Sequence, residues 1–128
     1  MNMTGIIFSN IYDAYMGDLT KYRTLASVPF GGRYRLIDFV LSNMSNSGFN
    51  NVGIITKYNY QSLIDHLGSC EEWDMSRKNS KVFILPPFGT GQTNVYQGKL
   101  EALYGAIAFL KRTKEKYILM SDCNVICN

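Results

Sequence analysis

Two arginines behind a pair of glycines are the clearest candidates for binding an anion. Gly31, Gly32, Arg33 and Arg35 directly precede a segment of helical period. The N–H groups that glycines leave accessible, the positive end of a helix and two guanidinium groups together suit an anion such as phosphate. Because residues two apart point in nearly opposite directions on a helix, both arginines reach one anion only if Arg33 precedes the helix. The alternative is a glycine turn whose arginines are merely solvated.

A second set of polar residues is suited to bind a sugar, a nucleotide or a metal ion. Asp122 follows the apolar run from Tyr117 to Met120, and carboxylates at strand ends often hold Mg²⁺ together with substrate phosphates. No further carboxylate follows it, so we predict no complete metal site, with Asp122 as the only candidate ligand. Gly98 opens a helical segment in which Glu101 can accept a hydroxyl group. His66 is predicted to be a packed or surface residue rather than a base.

Hydrophobic periodicity predicts the elements that must position these residues. Short apolar runs predict buried strands at Gly5 to Phe8, Val52 to Thr56, Val82 to Leu85 and Tyr117 to Met120. Segments of helical period predict helices at Tyr34 to Asn46, Gln61 to Leu67 and Lys99 to Leu110. This alternation predicts an α/β fold with a mainly parallel sheet and helices on both faces. Ligands of such sheets bind beyond the carboxyl ends of the strands, so the loops after the strands are where a site is expected.

Composition excludes several classes of function. The chain has 128 residues, of which 46% are apolar, which is enough for one domain with one core. A net charge of +3 is too small to demand nucleic acid as a partner. No run approaches the roughly 18 apolar residues that span a bilayer, and no secretory signal pattern is present, so we expect no membrane association and a cytoplasmic location. The three cysteines lack metal-type spacing, which favours reduced thiols.

The stretch from Val28 to Met44, continued by Asn46 to Gly48, resembles the glucose-1-phosphate adenylyltransferase (ADP-glucose pyrophosphorylase) family. The similarity continues through Val52 to Tyr58 and Tyr96 to Gly98 to the last strand, but it covers only the family's amino-terminal third. It implies a Rossmann-like, GT-A-like nucleotidyltransferase fold. We therefore expect residues 1–128 to form a single partial domain that stops before the rest of the catalytic domain and the carboxy-terminal β-helix. Active members convert ATP and glucose 1-phosphate, with Mg²⁺, into ADP-glucose and pyrophosphate.

The same resemblance implies that the catalytic groups are degenerate. The family's loop Gly-Gly-x-Gly-Thr-Arg-Leu falls on residues 10–16, which places Asn10, Ile11 and Asp13 at its glycines and Tyr15 at its phosphate-gripping arginine. Further altered positions are Leu25 at a lysine, Phe88 and Gly89 at base-binding glutamines, Lys99 at the threonine of Gly-Thr-Ala-Asp-Ala, and Asn124 at the metal-binding aspartate. Phosphoryl-type transfer depends on electrostatic stabilisation of the phosphates. The loss of the glycine-rich phosphate loop, the arginine, the lysine and the metal-binding aspartate together would remove most of it.

Intact helices with altered loops resemble the GlgD-type, non-catalytic subunits of this family. This resemblance implies a regulatory subunit of glycogen synthesis that needs no cofactor of its own and assembles with a catalytic adenylyltransferase paralogue in a hetero-oligomer. Two alternatives stay open. One is an active but divergent enzyme with Asp122 as metal ligand and Arg33 or Arg35 on the phosphates. The other is a module that binds a nucleotide sugar or a small anionic effector without chemistry.

Overall fold

A computed structural model describes residues 2–68, 81–86 and 98–127 of the chain. Within these ranges four strands form one parallel sheet in the order β3-β2-β1-β4: β1 (Met3–Phe8), β2 (Asn51–Ile55), β3 (Lys81–Leu85) and β4 (Tyr117–Asp122). The helices described are α1 (Leu36–Asn46), α2 (Gln61–Leu67), α3 (Lys99–Gly105) and α4 (Ile107–Leu110). Short 3-10 turns lie between β1 and α1 at Asp13–Tyr15, Gly17–Thr20 and Leu25–Ser27. The predicted α/β class with a parallel sheet is confirmed.

The two central strands, β1 and β2, are buried on both faces because successive side chains of a strand point to opposite sides. Ile7 and Ile54 share one apolar core with residues of α1 and α2. Ile6, Phe8 and Ile55 share a second core with residues of α3 and α4. Each fully buried aliphatic side chain contributes about 1.5–3 kcal/mol relative to exposure. Helices therefore cover both faces of the sheet centre, as the sequence predicts.

Two strand glycines permit this close packing of helices on the sheet. A Cβ atom on Gly5 of β1 would lie 2.6 Å from the Sδ atom of Met44 in α1. A Cβ atom on Gly53 of β2 would lie 2.8 Å from a ring carbon of Phe109 in α4. Both separations are shorter than van der Waals contact, so a side chain at either position would force Met44 or Phe109 to shift.

Two of the predicted helix boundaries are wrong. The helix predicted from Tyr34 begins at Leu36, since Arg35 is the extended N-cap residue. The helix predicted from Lys99 to Leu110 is divided into α3 and α4 at Ala106, just after Gly105. Glycine has the lowest helix propensity apart from proline, which accounts for the break. The helix predicted at Gln61 to Leu67 is confirmed.

The prediction that every strand is buried is wrong at the edges of the described sheet. The side chains of β4 from Tyr117 to Met120 are 44–53% exposed. Those of β3 are exposed or half-buried. Each of these strands has a neighbour on only one side, so its apolar residues share fewer contacts than those of β1 and β2. An apolar run predicts a strand here without predicting its burial.

Several residues that the sequence analysis singles out lie outside the described residues. These are the base-binding positions Phe88 and Gly89, the segment Tyr96–Gln97, most of the loop from Pro86 to Gly98, and Cys70. In the part of the chain that the structure describes, no helix is long and apolar enough to cross a membrane.

Candidate functional site

The carboxyl edge of the sheet contains the point where the strand order reverses. β2 lies on one side of β1 and β4 lies on the other, so the crevice between the ends of β1 and β4 is the switch point of the fold. Open α/β sheets hold their ligands at such a point. Phe8 and Asp122 are register partners there, at the last position of each strand. This crevice and the loop that follows β1 form the candidate site.

A buried hydrogen-bond network closes the loop after β1, and Asn10 is at its centre. The Oδ1 atom of Asn10 accepts hydrogen bonds from the Ser9 hydroxyl at 2.7 Å and the Lys57 backbone N–H at 2.9 Å. Its Nδ2 atom donates to Asp13 Oδ2 at 2.6 Å and to the Tyr58 carbonyl at 3.1 Å. A primary amide has two acceptor sites and two donor hydrogens, so these contacts use its full capacity.

Asp13 extends the same network to the 3-10 turn at Leu25–Ser27. Its Oδ1 atom accepts the Leu25 backbone N–H at 2.9 Å, and its carbonyl oxygen accepts the Thr20 hydroxyl at 2.6 Å. Burial raises the pKa of Asp13, while the hydrogen bonds from Leu25 and Asn10 and the charge of Lys57 oppose that rise. The carboxyl group is thus turned into the loop, where a phosphate cradle would need open backbone N–H groups.

The other altered positions of this region supply no positively charged side chain to the crevice. Leu25 is 2% exposed and belongs to the core beneath α1 and α2. Ile11 packs against the core on the opposite face. Tyr15, at the position of the family's arginine, is 84% exposed. Where a triphosphate would need positive charge, this chain has an aliphatic core residue and an exposed phenol.

The two glycines before α1 form a tight turn rather than the first turn of the helix. The Phe30 N–H donates to the Tyr34 carbonyl at 2.8 Å, and Gly31 and Gly32 have φ values of +66° and +85°. Positive φ values are unstrained only for glycine, so the residue types match this turn. Arg33 is exposed, with its guanidinium 5.5 Å from the centre of the Tyr34 ring. Arg33 therefore precedes the helix, which meets the geometric condition set by the sequence.

Arg35 points elsewhere, because it joins the start of α1 to α2. Its Nη1 atom donates to the Oγ and the carbonyl oxygen of Ser62, at 2.6 and 3.1 Å. The Arg35 backbone N–H donates to Asp38 Oδ2 at 2.8 Å, so the positive end of the helix is neutralised by its own carboxylate. Asp38 Oδ1 lies 2.7 Å from His66 Nε2, so the half-buried His66 ring of α2 contacts α1. The structure does not bring the two arginines together.

Asp122, the last residue of β4, is paired with a lysine. Lys99 Nζ lies 2.7 Å from Oδ1 and 2.8 Å from Oδ2 of Asp122, and the hydrogen bond to this carboxylate raises the pKa of Lys99. The Tyr12 hydroxyl is 3.5 Å from Asp122 Oδ2. The ammonium group also lies 5.7 Å from the ring centre of Phe8 and 6.0 Å from that of Tyr12.

The residues present do not fit the Mg²⁺ that active family members use. The carboxylate of Asp122 is held by Lys99, and its Oδ1 atom is shielded from solvent. Asn124 is exposed and offers only a neutral amide, which is a poorer Mg²⁺ ligand than a carboxylate. Cys123 is buried, and burial raises the pKa of its thiol to about 12. Among residues 2–68, 81–86 and 98–127, no cluster of three or more His, Cys, Asp or Glu side chains is suited to a metal ion.

The remaining candidates, Gly98 and Glu101, lie at the start of α3. Gly98 is its extended N-cap residue, and an added Cβ atom would meet none of the described residues within 4 Å. Glu101 is exposed in the first turn. Because α3 and α1 cover opposite faces of the sheet, these candidates and the two arginines belong to different sides of the molecule.

Sequence reasoning missed the role of Lys99 and Tyr12. A lysine that opens a helix and an aspartate that ends a strand are visible signals of opposite charge. Their meeting depends on β4 pairing with β1, and the sequence does not show the strand order.

Comparison with known proteins identifies the family. Residues 16–128 match the family model described as nucleotidyl transferase. The chain belongs to the nucleotidyl transferase family. The match begins after the altered loop positions Asn10 to Tyr15. This is the segment in which Asn10 and Asp13 close the loop after β1.

Curated relatives of this chain carry two kinds of name. The "Glycogen biosynthesis protein GlgD" of Bacillus subtilis (strain 168) is 38% identical over 98% of this chain and 37% of its own length. GlgD of Geobacillus stearothermophilus is 40% identical over the same shares. The "Glucose-1-phosphate adenylyltransferase" of Desulforamulus reducens is 46% identical over 82% of this chain and 27% of its own length. The matched region thus spans 27–37% of the length of these relatives.

A solved structure supports the fold independently. A putative glucose-1-phosphate thymidylyltransferase from Bacillus anthracis, in complex with a sucrose, superimposes with a TM-score of 0.72 at 19% identity. The superposition covers 97% of this chain and 45% of that one. The nucleotidyltransferase-like fold implied by the resemblance is therefore confirmed.

Proposed function

We propose that this chain is part of a non-catalytic, regulatory subunit of an adenylyltransferase assembly for glycogen synthesis, whose partner is a catalytic paralogue that makes ADP-glucose. The observation that carries the proposal is the closed loop after β1. Asn10 and Asp13 fill it with their own hydrogen bonds, in the region where the resemblance implies a cradle for the triphosphate.

The charge balance of the loop supports the same proposal. Phosphoryl-type transfer depends on backbone N–H groups and cations that stabilise developing negative charge. Here the Leu25 N–H is bonded to the Asp13 carboxylate, and Leu25 and Tyr15 stand where the family has cations. A bound triphosphate would meet the exposed Tyr15 phenol where the resemblance implies an arginine.

The alternative of an active but divergent enzyme draws on Asp122 and Arg35. Both side chains are engaged within the fold, Asp122 with Lys99 and Arg35 with Ser62. Of the candidate cations before α1, Arg33 alone is exposed. It is the residue on which a module that binds an anionic effector would depend.

The test combines turnover with assembly. The chain, the catalytic paralogue of the same organism and their co-expressed mixture are assayed for pyrophosphate release from ATP and glucose 1-phosphate with Mg²⁺. We expect no turnover by the chain alone, co-purification of the two proteins, and a change in the paralogue's rate or effector response when the chain is bound.

Two outcomes contradict the proposal. Turnover by the chain alone that is lost in Asp122→Asn supports the divergent enzyme. Absence of co-purification and of any effect on the paralogue's kinetics removes the subunit role. The paralogue carrying an inactivating substitution at its own metal aspartate serves as the matched control, since any activity of the mixture then has to come from this chain.

A further inference from the structure

We propose that the crevice between β1 and β4 is a cation site that the chain fills with its own Lys99 ammonium group, which keeps a divalent metal ion away from Asp122. The proposal starts from the mismatch between this site and Mg²⁺. It does not depend on the partner proposed above, because its readout needs only this chain.

The contacts of Lys99 are those of a bound cation. Its Nζ atom lies at almost equal distances from the carboxylate oxygens of Asp122, 2.7 and 2.8 Å, so it takes the position between them that a metal ion would use. The rings of Phe8 and Tyr12 lie 5.7 and 6.0 Å away, within the range in which aromatic rings attract cations. The carboxylate, to whose Oδ2 atom the ammonium donates, and the two rings border the ammonium, and we call this set the cage; the Lys99 side chain stays 44% exposed.

The location of this cage matters because it is the switch point of the sheet. Asp122 ends β4 beside the end of β1, and Lys99 reaches it as the first residue of α3. Three separate elements therefore meet at the place where open α/β sheets hold ligands. The resemblance aligns Lys99 with a threonine of the family. A threonine side chain is uncharged and too short to span this crevice.

Charge explains why a divalent ion is excluded. Mg²⁺ and Mn²⁺ bind proteins through carboxylates, usually one or two of them with further oxygen ligands. The single carboxylate of Asp122 is already neutralised, and an entering metal ion would also be repelled by the ammonium it has to displace. Removing that ammonium leaves one carboxylate at a crevice that water can enter, which suffices for weak binding.

Weak metal binding at a known place is best detected by paramagnetic broadening. Mn²⁺ is added in substoichiometric amounts to the ¹⁵N-labelled chain, and broadening is followed at the backbone amides of Ser9 and Cys123, which flank the crevice. Wild type is compared with Lys99→Met, which keeps most of the apolar stem, and with Lys99→Met/Asp122→Asn. The amide of the exposed residue Asp18 reports non-specific surface binding in all three proteins.

We expect Cys123 in the wild type to broaden no more than Asp18. In Lys99→Met its broadening rises several-fold above that of Asp18, and in the double variant the excess disappears. Equal broadening at Cys123 in the wild type and Lys99→Met, or no excess in Lys99→Met, overturns the proposal.

A second measurement covers the case in which Lys99→Met fails to fold. The side-chain ammonium resonance of Lys99 is compared in the wild type and Asp122→Asn. A bound ammonium exchanges slowly with water, so we expect its signal in the wild type and its loss in the variant. An unchanged signal, or none in either protein, contradicts the cage. A failure here leaves the proposed subunit role untouched, since that role is read by turnover and assembly.

Discussion

The two sides of the candidate site depart from the residues that the resemblance implies in different ways. On the β1 side, Asn10, Asp13 and Leu25 are almost fully buried, and their bonds hold the loop to the sheet and to the core. On the β4 side, the side chain of Lys99 is 44% exposed and that of Asp122 18% exposed, and the two form a single ion pair. The loop after β1 is therefore part of the folded core. At the end of β4, by contrast, the Asp122 carboxylate is only paired with a partly exposed ammonium group. Restoring the family's residues should therefore lower the free energy of unfolding on the β1 side and leave it nearly unchanged on the β4 side.

The largest effect is expected for Leu25→Lys, which restores the lysine implied by the resemblance. Leu25 is 2% exposed among apolar side chains, so the ammonium group would be buried without a partner. We expect the free energy of unfolding to fall by about 3–5 kcal/mol, the usual cost of an uncompensated buried charge. Urea titration measures it. Leu25→Met is the matched control and should lose less than about 1.5 kcal/mol. A Leu25→Lys protein as stable as Leu25→Met would show that the loop is not part of the core.

A smaller effect concerns the pH dependence of stability and the Asp13 carboxyl group. Burial raises the pKa of Asp13 above its ordinary 3.8, so the folded chain holds this proton more tightly than the unfolded chain. The contribution of Asp13 to the free energy of unfolding is therefore fully present below that value and lost as pH rises through the folded pKa. Asp13→Asn carries no such proton. We expect the stability difference, wild type minus variant, to shrink as pH rises across this window.

Urea titrations at a series of pH values check this expectation. Glu115 has the opposite slope: burial raises its pKa, but hydrogen bonds from its own backbone, Asn51 and Thr4 outweigh this and lower it. Its stability contribution is lost as pH falls, but it occurs in both proteins and cancels in the difference. A difference that grows with pH, or stays constant, contradicts the buried position of Asp13.

The smallest effect is expected for Asn124→Asp, which restores the family's metal-binding carboxylate at an exposed position. Surface substitutions of this kind usually change stability by less than about 0.5 kcal/mol. Thermal unfolding of the variant should match that of the wild type, with and without Mg²⁺, because Lys99 still occupies Asp122. Stabilisation of Asn124→Asp by Mg²⁺ would contradict this expectation, because it would show that a metal ion binds at the end of β4 while Lys99 is present.

The sequence predicts the fold well because periodicity reports it directly. Ile6 and Ile7 are consecutive apolar residues, as are Ile54 and Ile55, and a continuous apolar run predicts a strand buried on both faces. Tyr117 to Met120 shows the limit, since an apolar run does not reveal whether a strand has neighbours on both sides. The strand order is equally hidden, because it depends on contacts between segments that are far apart in the chain.

The site is harder to predict for the same reason. The resemblance identifies Asn10, Asp13 and Leu25 as departures, but only the structure shows that they bond to each other and to the loop after β2. Local spacing sets the condition that Arg33 must precede α1, yet it cannot show that Arg35 reaches Ser62, which lies on another helix. Contacts between distant segments decide which polar groups are available, and a single sequence does not contain them.

We propose that the loop after β1 cannot hold a triphosphate. Titration of the ¹⁵N-labelled chain with millimolar ATP and Mg²⁺, followed through the backbone amides of residues 10–15, tests it most directly. We predict no saturable shift in these amides, because Asp13 and Asn10 engage the Leu25 and Lys57 N–H groups, and Tyr15 stands where the resemblance implies an arginine. Saturable shifts concentrated in residues 10–15 would contradict the account and favour an active, divergent enzyme.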